Sequence, residues 1–280
     1  MILMFGDLHG NFDHVIQLVK TIKPVAIILL GDIEAQQPLE LELELILSMT
    51  EIYFIHGNHD TDSKENYSNL FLSALADRNL HGRVIEINGQ KVAGLGGVFR
   101  EHSWYPRLDM KDAPLYNNYD SLIKAHLRKR VLRNIESEKD DLAYGEVYKR
   151  RSYDIASPNL EMKAPSGNEL RHKSTIFYDD WKRLSSQRAD ILVTHEAPSC
   201  HPGGFIGIDE LARSMHVKKS FHGHKHDNLD YRDKHPALRF AAYGVGFRGA
   251  SDQDGNLIAK GDFDDENARR YYNNKRIKEK

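Results

Sequence analysis

Short apolar runs that stop abruptly at a glycine or at polar residues limit this chain more than any other feature of its sequence. Residues 1–5 (MILMF) stop at Gly6, residues 25–30 (VAIILL) stop at Gly31, and residues 51–55 (EIYFI) are followed by HGNHD. Apolar runs of this length, bounded by such breaks, are typical of buried strands. The first third of the chain therefore predicts three strands that are buried on both faces.

Amphipathic segments separate these runs. Residues 12–22 (FDHVIQLVKTI) place apolar side chains at helical spacing and predict a helix. Residues 38–49 (PLELELELILSM) alternate Leu and Glu as a strand would, but Pro38 suits a helix start and both residue types form helices readily. We predict a helix there, because a rhythm of strand, helix and strand surrounds it. That rhythm predicts an α/β fold with parallel strands.

The rest of the chain adds a hairpin and a second α/β series. Residues 84–99 (VIEINGQKVAGLGGVF) predict a hairpin, because Asn88-Gly89 is a strong turn signal. The other expected elements are helices at SKENYSNLFLSALAD, IDELARSM and a segment ending near Arg188, and strands at ADILVTHEAP, VKKSFHGHKH and ALRFAAYGVG.

The length of 280 residues is long for one compact domain and short for two large ones. We predict one domain over residues 1–261, with an insertion at about residues 100–182 and a polar tail at residues 262–280. The insertion carries both tryptophans, a basic amphipathic helix at HLRKRVLRNIES and a loop at SPNLEMKAPSGNEL. We expect it to lie over one end of the sheet.

Composition excludes several classes of protein. The formal net charge is −2, so the whole chain is not an obvious polyanion binder. No apolar run approaches the roughly 20 residues that span a bilayer, and no membrane partner is expected. Cys200 is the only cysteine, which excludes an intrachain disulfide and fits a reducing compartment. The opening MILMFGDLHG has no basic leader and predicts a strand rather than a signal peptide, so the expected location is the cytoplasm.

Acidic, amide and imidazole side chains follow the predicted strands, at the point where each strand ends. In an open α/β sheet the carboxyl ends of the strands converge on one crevice, so residues far apart in sequence would meet there. These residues are Asp7 and His9 in GDLHG, Asp32 in GDIEAQQP, Asn58, His59 and Asp60 in GNHD, His195 in THEAP, and His224 and His226 in HGHKH.

The chemistry of this set points to metal ions. Imidazole suits Zn, Fe, Mn and Ni, and carboxylate and amide oxygens suit hard divalent ions. A mixed set of about seven ligands is too many for one tetrahedral ion and suits two ions that share a carboxylate. Two ions about 3.5–4 Å apart can clamp the attacking and leaving oxygens of a phosphoryl displacement. GD alone is ordinary turn chemistry, whereas GNHD is more than a turn requires and a short His-rich tract such as HGHKH often binds metal. The order of all five motifs argues against an accident.

The order D-x-H, GD, GNHD, H, GHxH over residues 7–226 resembles the calcineurin-like metallophosphoesterase superfamily. The resemblance implies a two-sheet β-sandwich flanked by helices, in four layers (αββα). It also implies two divalent metal ions, with manganese expected and iron, zinc or nickel as alternatives. The implied ligands are Asp7, His9, Asp32 and His226 for one ion, and Asp32, Asn58, His195 and His224 for the other, with Asp32 bridging.

The resemblance further implies a mechanism. A metal-bridging hydroxide would attack phosphorus in line, opposite the leaving oxygen. His59 would not be a ligand; it would protonate the leaving oxygen or steady the phosphoryl charge. The aspartate that orients this histidine in protein phosphatases has no counterpart here, and we expect Asp60 or Glu34 to replace it.

Three imidazoles alternate in the closing motif. The alternation predicts that His224 and His226 point from a strand end at neighbouring ions. His222 matches no ligand of the superfamily, and we expect it to contact a ligand, face the substrate or serve the structure.

The insertion is the expected specificity element. Arg100, Trp104 and Arg107, in GVFREHSWYPR, combine planar cations with an aromatic face, which could pair with a phosphate and stack on a base. The alternative is a solvated loop around a small aromatic core. The basic helix HLRKRVLR could touch a nucleic-acid backbone, or it is an exposed helix face.

The opening GDLHG resembles protein Ser/Thr phosphatases and diadenosine polyphosphate hydrolases, but the segment after Asp32 lacks the arginine those proteins carry. The closing GHKH resembles the phosphodiesterase branch more closely. We expect a phosphorylated small metabolite, a nucleotide or a phosphoprotein as substrate; nucleic acid or a dinucleoside polyphosphate is the alternative. A non-catalytic module is disfavoured, because His59 and all seven ligands are present.

Overall fold

The computed structural model describes residues 1–111, 113–137 and 167–266, and of residues 130–137 it describes the backbone alone. The strands in these ranges are β1 Ile2–Phe5, β2 Ala26–Leu30, β3 Glu51–Ile55, β4 Arg83–Ile87, β5 Gln90–Leu95, β6 Ile191–Thr194, β7 Lys219–His222, β8 Ala241–Gly244, β9 Ala250–Asp252 and β10 Leu257–Ala259. The helices are α1 Asp13–Ile22, α2 Leu39–Glu42, α3 Lys64–Phe71, α4 Tyr119–Ser137, α5 Asn168–Arg171, α6 Tyr178–Ser185, α7 Ile206–Ser214 and α8 His235–Leu238.

These strands form two mixed sheets of five. The first sheet has the order β10-β9-β1-β2-β3, and the second has the order β4-β5-β6-β7-β8. Parallel pairing joins β1 to β2 and β2 to β3 in the first sheet, and β5 through β8 in the second. The remaining pairs are antiparallel. Each sheet thus contains a parallel part whose strand ends point the same way.

Three apolar layers hold the sheets and helices together. Ile28 of β2 packs between the sheets with Val193 of β6 and Phe221 of β7. Leu29, the next residue of β2, faces the other way and packs with Val15 of α1. The second sheet has a similar outer layer against its own helices. Strands buried on both faces in this way are consistent with the apolar runs in the sequence, and the four-layer fold predicted from the resemblance is confirmed.

The prediction of a helix rather than a strand over residues 38–49 is confirmed in type, but the segment is not one continuous helix. The segment forms the single turn α2, followed by a 3-10 turn at Glu44–Ile46. Leu39, Leu43 and Ile46 are buried at helical spacing, while the leucines between them are exposed. Because Leu recurs at every second position, only part of the set can face the core, and a longer regular helix gains little further burial.

The predicted hairpin is confirmed: β4 and β5 are joined at Asn88 and Gly89, which both have positive φ, as a two-residue hairpin turn requires.

Several other element boundaries differ from expectation. In ALRFAAYGVG the first residues end α8, and the strand begins at Ala241. The strand in VKKSFHGHKH ends at His222. The antiparallel strands β9 and β10, which extend the first sheet, had no clear sequence signal.

The insertion packs on the outer face of the second sheet. Trp104 and Ile176 belong to the apolar layer there, and the expected helix at HLRKRVLRNIES lies within α4. Most of the expected loop SPNLEMKAPSGNEL and most of the polar tail lie outside the described residues. None of the described helices is long and apolar enough to cross a membrane.

Candidate metal centre

The polar residues predicted at strand ends meet at one place, where the parallel strands of the two sheets end side by side. The first sheet contributes the residues that follow β1, β2 and β3, and the second contributes those that follow β6 and β7. The residues brought together are Asp7, His9, Asp32, Asn58, His59, His195, His224 and His226.

The backbone at this meeting point is unusual. Asp7, His9, Asp32, His224 and His226 all have positive φ, between 22° and 65°. Non-glycine residues adopt such values rarely, each at a cost of about 1–3 kcal/mol, and they concentrate at functional sites. The expectation that His224 and His226 alternate along a strand is therefore wrong, because both lie in the loop after β7. Left-handed turns, and not the pleat of a strand, direct their side chains.

Two glycines permit the close approach of the strand ends. A Cβ at Gly31 would lie 2.4 Å from His195 Nδ1, and Gly31 also has φ of 97°. A Cβ at Gly57 would lie 2.2 Å from Asp32 Oδ1. Both distances are far shorter than van der Waals contact, so the side chains of the site need glycine at these positions.

The first donor cluster consists of His9, Asp32 and His226, whose ligand atoms lie within 4.8 Å of one another. His9 Nε2 is 3.3 Å from His226 Nε2 and 4.0 Å from Asp32 Oδ2. His9 Nδ1 is 2.9 Å from Glu34 Oε2, which fixes the ring and turns Nε2 toward the cluster. Glu34 is thus closer to His9 than to His59, the residue that it was expected to orient.

The second donor cluster consists of Asp32, His195 and His224, again within 4.8 Å. His195 Nδ1 donates to Leu30 O at 2.8 Å, and its Nε2 lies 3.3 Å from Asp32 Oδ2. Asn58 Oδ1 is buried without a hydrogen-bond partner among the described residues. Buried polar atoms are rarely left unpaired, and this oxygen fits a ligand of a metal ion. Asp32 is common to both clusters.

Asp7 is fully buried beside the clusters but belongs to neither. Both of its oxygens accept the backbone N–H of His224 at 2.9 Å. Burial raises the pKa of Asp7 to about 7, with the charge of His195 opposing this. The role of Asp7 as a ligand stays a prediction.

The pKa shifts differ among the imidazoles of the two clusters. Burial and the charge of His195 lower the pKa of His224 to about 2, and burial with His9 lowers that of His226. Both imidazoles are therefore neutral, which is the ligand form. Burial disfavours charge on His195, yet the carboxylates of Asp32 and Asp7 raise its pKa to about 10.

His59 faces the same space but is oriented by an unexpected partner. Its Nδ1 lies 2.7 Å from Asp62 Oδ2 and 3.8 Å from Glu34 Oε1. Asp60 is instead buried, and its carboxylate accepts the backbone N–H groups of Ile33, Glu34 and Gly57 at 2.8 Å. The expectation that Asp60 orients His59 is wrong; Asp60 ties the loops after β2 and β3 together.

Three residues expected at the substrate lie elsewhere. Trp104 is only 3% exposed and packs edge-on against Phe99 and Trp181, so it offers no free face to a base. Arg107 donates to Pro202 O at 3.4 Å. His222 is buried within β7, and its Nε2 lies 3.2 Å from the Tyr231 hydroxyl.

Arg100 alone of the expected substrate residues lines a cavity next to the clusters. The cavity measures about 270 Å³ and is also lined by Asn58, His59 and His224. Three charged lining residues were missed: Asp62, Arg171 and Glu196. Asp62 could have been found from its position three residues after His59, and Glu196 from its place beside His195. Arg171 lies deep in the insertion and gave no sequence signal.

Two mixed sheets with imidazoles and carboxylates gathered at their strand ends define a metallophosphoesterase architecture. Residues 1–228 match the calcineurin-like phosphoesterase family, and the chain belongs to that family. Divalent metal ions are the cofactors of this family, and the two donor clusters provide a place for them.

A relative from Haemophilus influenzae, described as an uncharacterized protein, is 35% identical over 258 residues, which are 92% of this chain and 96% of that one. A crystal structure of a Thermus thermophilus protein has a TM-score of 0.49 at 14% identity, covering 93% of this chain and 97% of that chain. A novel phosphatase from Mycoplasma pneumoniae has a TM-score of 0.35 at 12% identity, covering 88% and 71%. The Haemophilus influenzae NAD nucleotidase has a TM-score of 0.35 at 13% identity, covering 92% and 54%.

Proposed function

We propose that this chain is a metal-dependent hydrolase of phosphoric esters that uses two divalent ions, with manganese as the first ion to test. The observation that carries the proposal is the sharing of Asp32 between two donor clusters. His9 and His226 would hold one ion with Asp32, and His195 and His224 the other. A carboxylate flanked by two pairs of imidazoles suits two cations better than one.

When bound, such ions polarise phosphate oxygens and provide a nucleophilic water near neutral pH. The chain itself supplies the groups that place the ester and handle its leaving group. Asn58, His59 and His224 line the cavity beside the clusters, so a phosphoryl group in the cavity is close to His59 and to the two donor clusters. We propose a small phosphorylated metabolite or nucleotide as substrate, since the cavity of about 270 Å³ holds a small molecule.

His59 is the proposed proton donor to the leaving oxygen. Its Nδ1–H donates to Asp62, which leaves Nε2 as the atom that can pass a proton on. Although burial opposes it, the charges of Asp32 and Asp62 raise the pKa of His59. With ions on Asp32, the hydrogen-bonded carboxylate of Asp62 would still favour the protonated ring that general acid catalysis requires.

Cys200 takes no part in this proposal. Burial raises the pKa of its thiol to about 12, so the reactive thiolate form is disfavoured. As the only cysteine it fits a reducing compartment, and we place the activity in the cytoplasm.

The experiment that tests the proposal is hydrolysis before and after metal removal. The protein is stripped with a chelator and dialysed, its metal content is measured, and activity is assayed after Mn, Ni, Zn or Mg is added back. We expect p-nitrophenol release from p-nitrophenyl phosphate or bis-p-nitrophenyl phosphate only with metal present. Equal activity in protein shown to be metal-free would overturn the proposal, and so would the absence of hydrolysis with every ion and ester.

A second candidate substrate is single-stranded nucleic acid. Lys124, Arg128 and Lys129 are exposed on the insertion helix α4, and such cations can contact a phosphate backbone. Cleavage of an oligonucleotide at a higher kcat/KM than the small esters, with a loss in Arg128→Met, would favour this alternative. No cleavage by metal-loaded protein would exclude it.

A further inference from the structure

The cavity beside the metal centre is lined by two kinds of residue. Asn58, His59 and His224 belong to the proposed catalytic centre. Arg100, which follows β5, and Arg171, the last residue of α5 in the insertion, line the same cavity. Two arginines therefore share a space of about 270 Å³ with residues of the proposed reaction site.

The acids near this cavity already have other partners. Asp62 Oδ2 lies 2.7 Å from His59 Nδ1, and Glu196 Oε2 accepts from Lys225 Nζ at 3.0 Å. Arg171 Nε is 3.9 Å from Asp62 Oδ1, which is too long for a hydrogen bond. Within the described ranges, then, neither arginine has a carboxylate at hydrogen-bond distance.

Arg100 is held in a fixed orientation by neutral groups. Its Nε donates to Thr175 Oγ1 at 3.2 Å, and its Nη2 lies 3.4 Å from Ser174 Oγ. These bonds position the guanidinium without neutralising it. Burial, and next the charge of Arg171, lower the pKa of Arg100, while the charges of Asp62 and Glu196 act in the opposite direction. The carboxylates of the protein therefore offset the repulsion between the two arginines only in part. A bound anion would offset that repulsion.

We propose that Arg100 and Arg171 form a subsite for a second anionic group of the substrate, a phosphoryl or carboxylate group a few bonds away from the phosphoryl group that is hydrolysed. The inference rests on the proposed function and narrows its substrate class to small esters or anhydrides with two anionic groups. Guanidinium groups suit this task because their planar fork binds phosphate or carboxylate through two parallel hydrogen bonds.

The test is a binding experiment that needs no turnover. Protein loaded with manganese at a fixed free concentration is titrated by calorimetry with methylphosphonate, methylenediphosphonate and phosphonoacetate. We expect the two doubly anionic probes to bind more tightly than methylphosphonate. Arg171→Met should weaken the doubly anionic probes by about ten-fold or more, as expected for the loss of a charge-assisted contact, and should weaken methylphosphonate by less. The two doubly anionic probes separate a phosphoryl from a carboxylate preference.

Arg188→Met is the matched control, because it removes the same charge at an exposed position outside the cavity lining. Arg100→Lys keeps the positive charge but loses the planar fork, and it should also weaken the doubly anionic probes. The subsite is refuted if Arg171→Met and Arg188→Met weaken the doubly anionic probes equally, or if wild-type protein shows no preference for them.

The subsite and the proposed hydrolysis can fail separately. If the protein prefers the doubly anionic probes through Arg171 but hydrolyses no ester, the subsite is supported and the proposed hydrolase activity is refuted. If the protein hydrolyses p-nitrophenyl phosphate but shows no such preference, the hydrolase activity is supported and the subsite is refuted.

Discussion

The side chain of Asp62 contacts His59 through one short hydrogen bond of 2.7 Å, and this bond gives Asp62 a role that depends on His59. We expect His59→Gln to lower kcat by about 10²- to 10⁴-fold, because the proton donor is lost. Asp62→Asn should lower kcat by about 10-fold, as expected when a charge-assisted hydrogen bond is removed. Steady-state kinetics with metal-loaded protein measures both effects.

The double variant His59→Gln/Asp62→Asn separates a role through His59 from a direct one. If Asp62 acts by orienting His59, its substitution costs nothing further once His59 is gone, because coupled residues are not additive. Losses that simply multiply would show that Asp62 acts on the substrate by itself. Metal content of all three variants should equal that of wild-type protein, since neither residue belongs to the two clusters that share Asp32. Both residues do form a third group of possible ligands with Glu34, and a lower metal content in the variants would show that this group holds an ion.

Asp60, two residues before Asp62, has a structural role. It is 1% exposed, and it accepts three backbone N–H groups from the loops after β2 and β3. In Asp60→Asn one acceptor oxygen becomes a donor that faces an N–H group, so we expect a loss of about 2–3 kcal/mol in the free energy of unfolding. Urea denaturation of metal-free protein measures it. Asp62→Asn is the control, with an expected change below about 1 kcal/mol at its exposed site; similar losses in both would contradict this assignment.

At the scale of elements, the sequence predicted the site better than it predicted the backbone that forms it. Apolar runs with polar residues behind them located β1, β2 and β3 and the candidate ligands that follow them, because a buried strand leaves its polar groups only at its ends. The pattern could not show that His224 and His226 lie in left-handed turns, since φ depends on contacts with Asp7 across the sheets. Asp62 was missed because a 3-10 turn brings it back to His59.

An ion pair fixes two of the loops that carry ligands. Glu196 follows His195 and Lys225 lies between His224 and His226, and the pair joins the ends of β6 and β7 at 3.0 Å. Because Glu196 is 4% exposed and Lys225 16%, we expect Lys225→Met to cost about 3 kcal/mol of unfolding free energy, since it leaves a buried carboxylate without its cation. It should also weaken manganese binding by about 10-fold, as loss of support for ligands does.

Two further variants test this assignment. Glu196→Gln/Lys225→Met removes both charges and should be more stable than Lys225→Met alone, because no unpaired buried charge remains. Lys218→Met breaks a pair with Asp190 in which the lysine is 76% exposed, and it should change stability by less than about 1 kcal/mol. Denaturation curves and manganese titrations by calorimetry provide both quantities. Equal effects of Lys218→Met and Lys225→Met would refute the supporting role.

At the scale of the whole molecule, the candidate centre lies between two sheets whose described strands form separate ladders. His9 and Asp32 come from the first sheet, whereas His195, His224 and His226 come from the second. In the first sheet, β9 pairs with β1, and Phe5 lies opposite Ala250. No local sequence pattern predicts this pairing, because it depends on packing across the whole chain. Ions held by both sets of ligands would link the sheets and stabilise the folded state.

We therefore expect manganese to raise the unfolding temperature. A ligand that binds only the folded state at about 100 times its Kd adds roughly 2.7 kcal/mol, which corresponds to about 5–10 °C for a chain of this size. Asp32→Asn should abolish most of the shift, because Asp32 belongs to both clusters, whereas His59→Gln should retain it. Thermal scans with chelator and with manganese measure the shift in each variant. An unchanged shift of the unfolding temperature in Asp32→Asn would show that the ion binds elsewhere. No shift in wild-type protein would show that manganese does not link the two sheets.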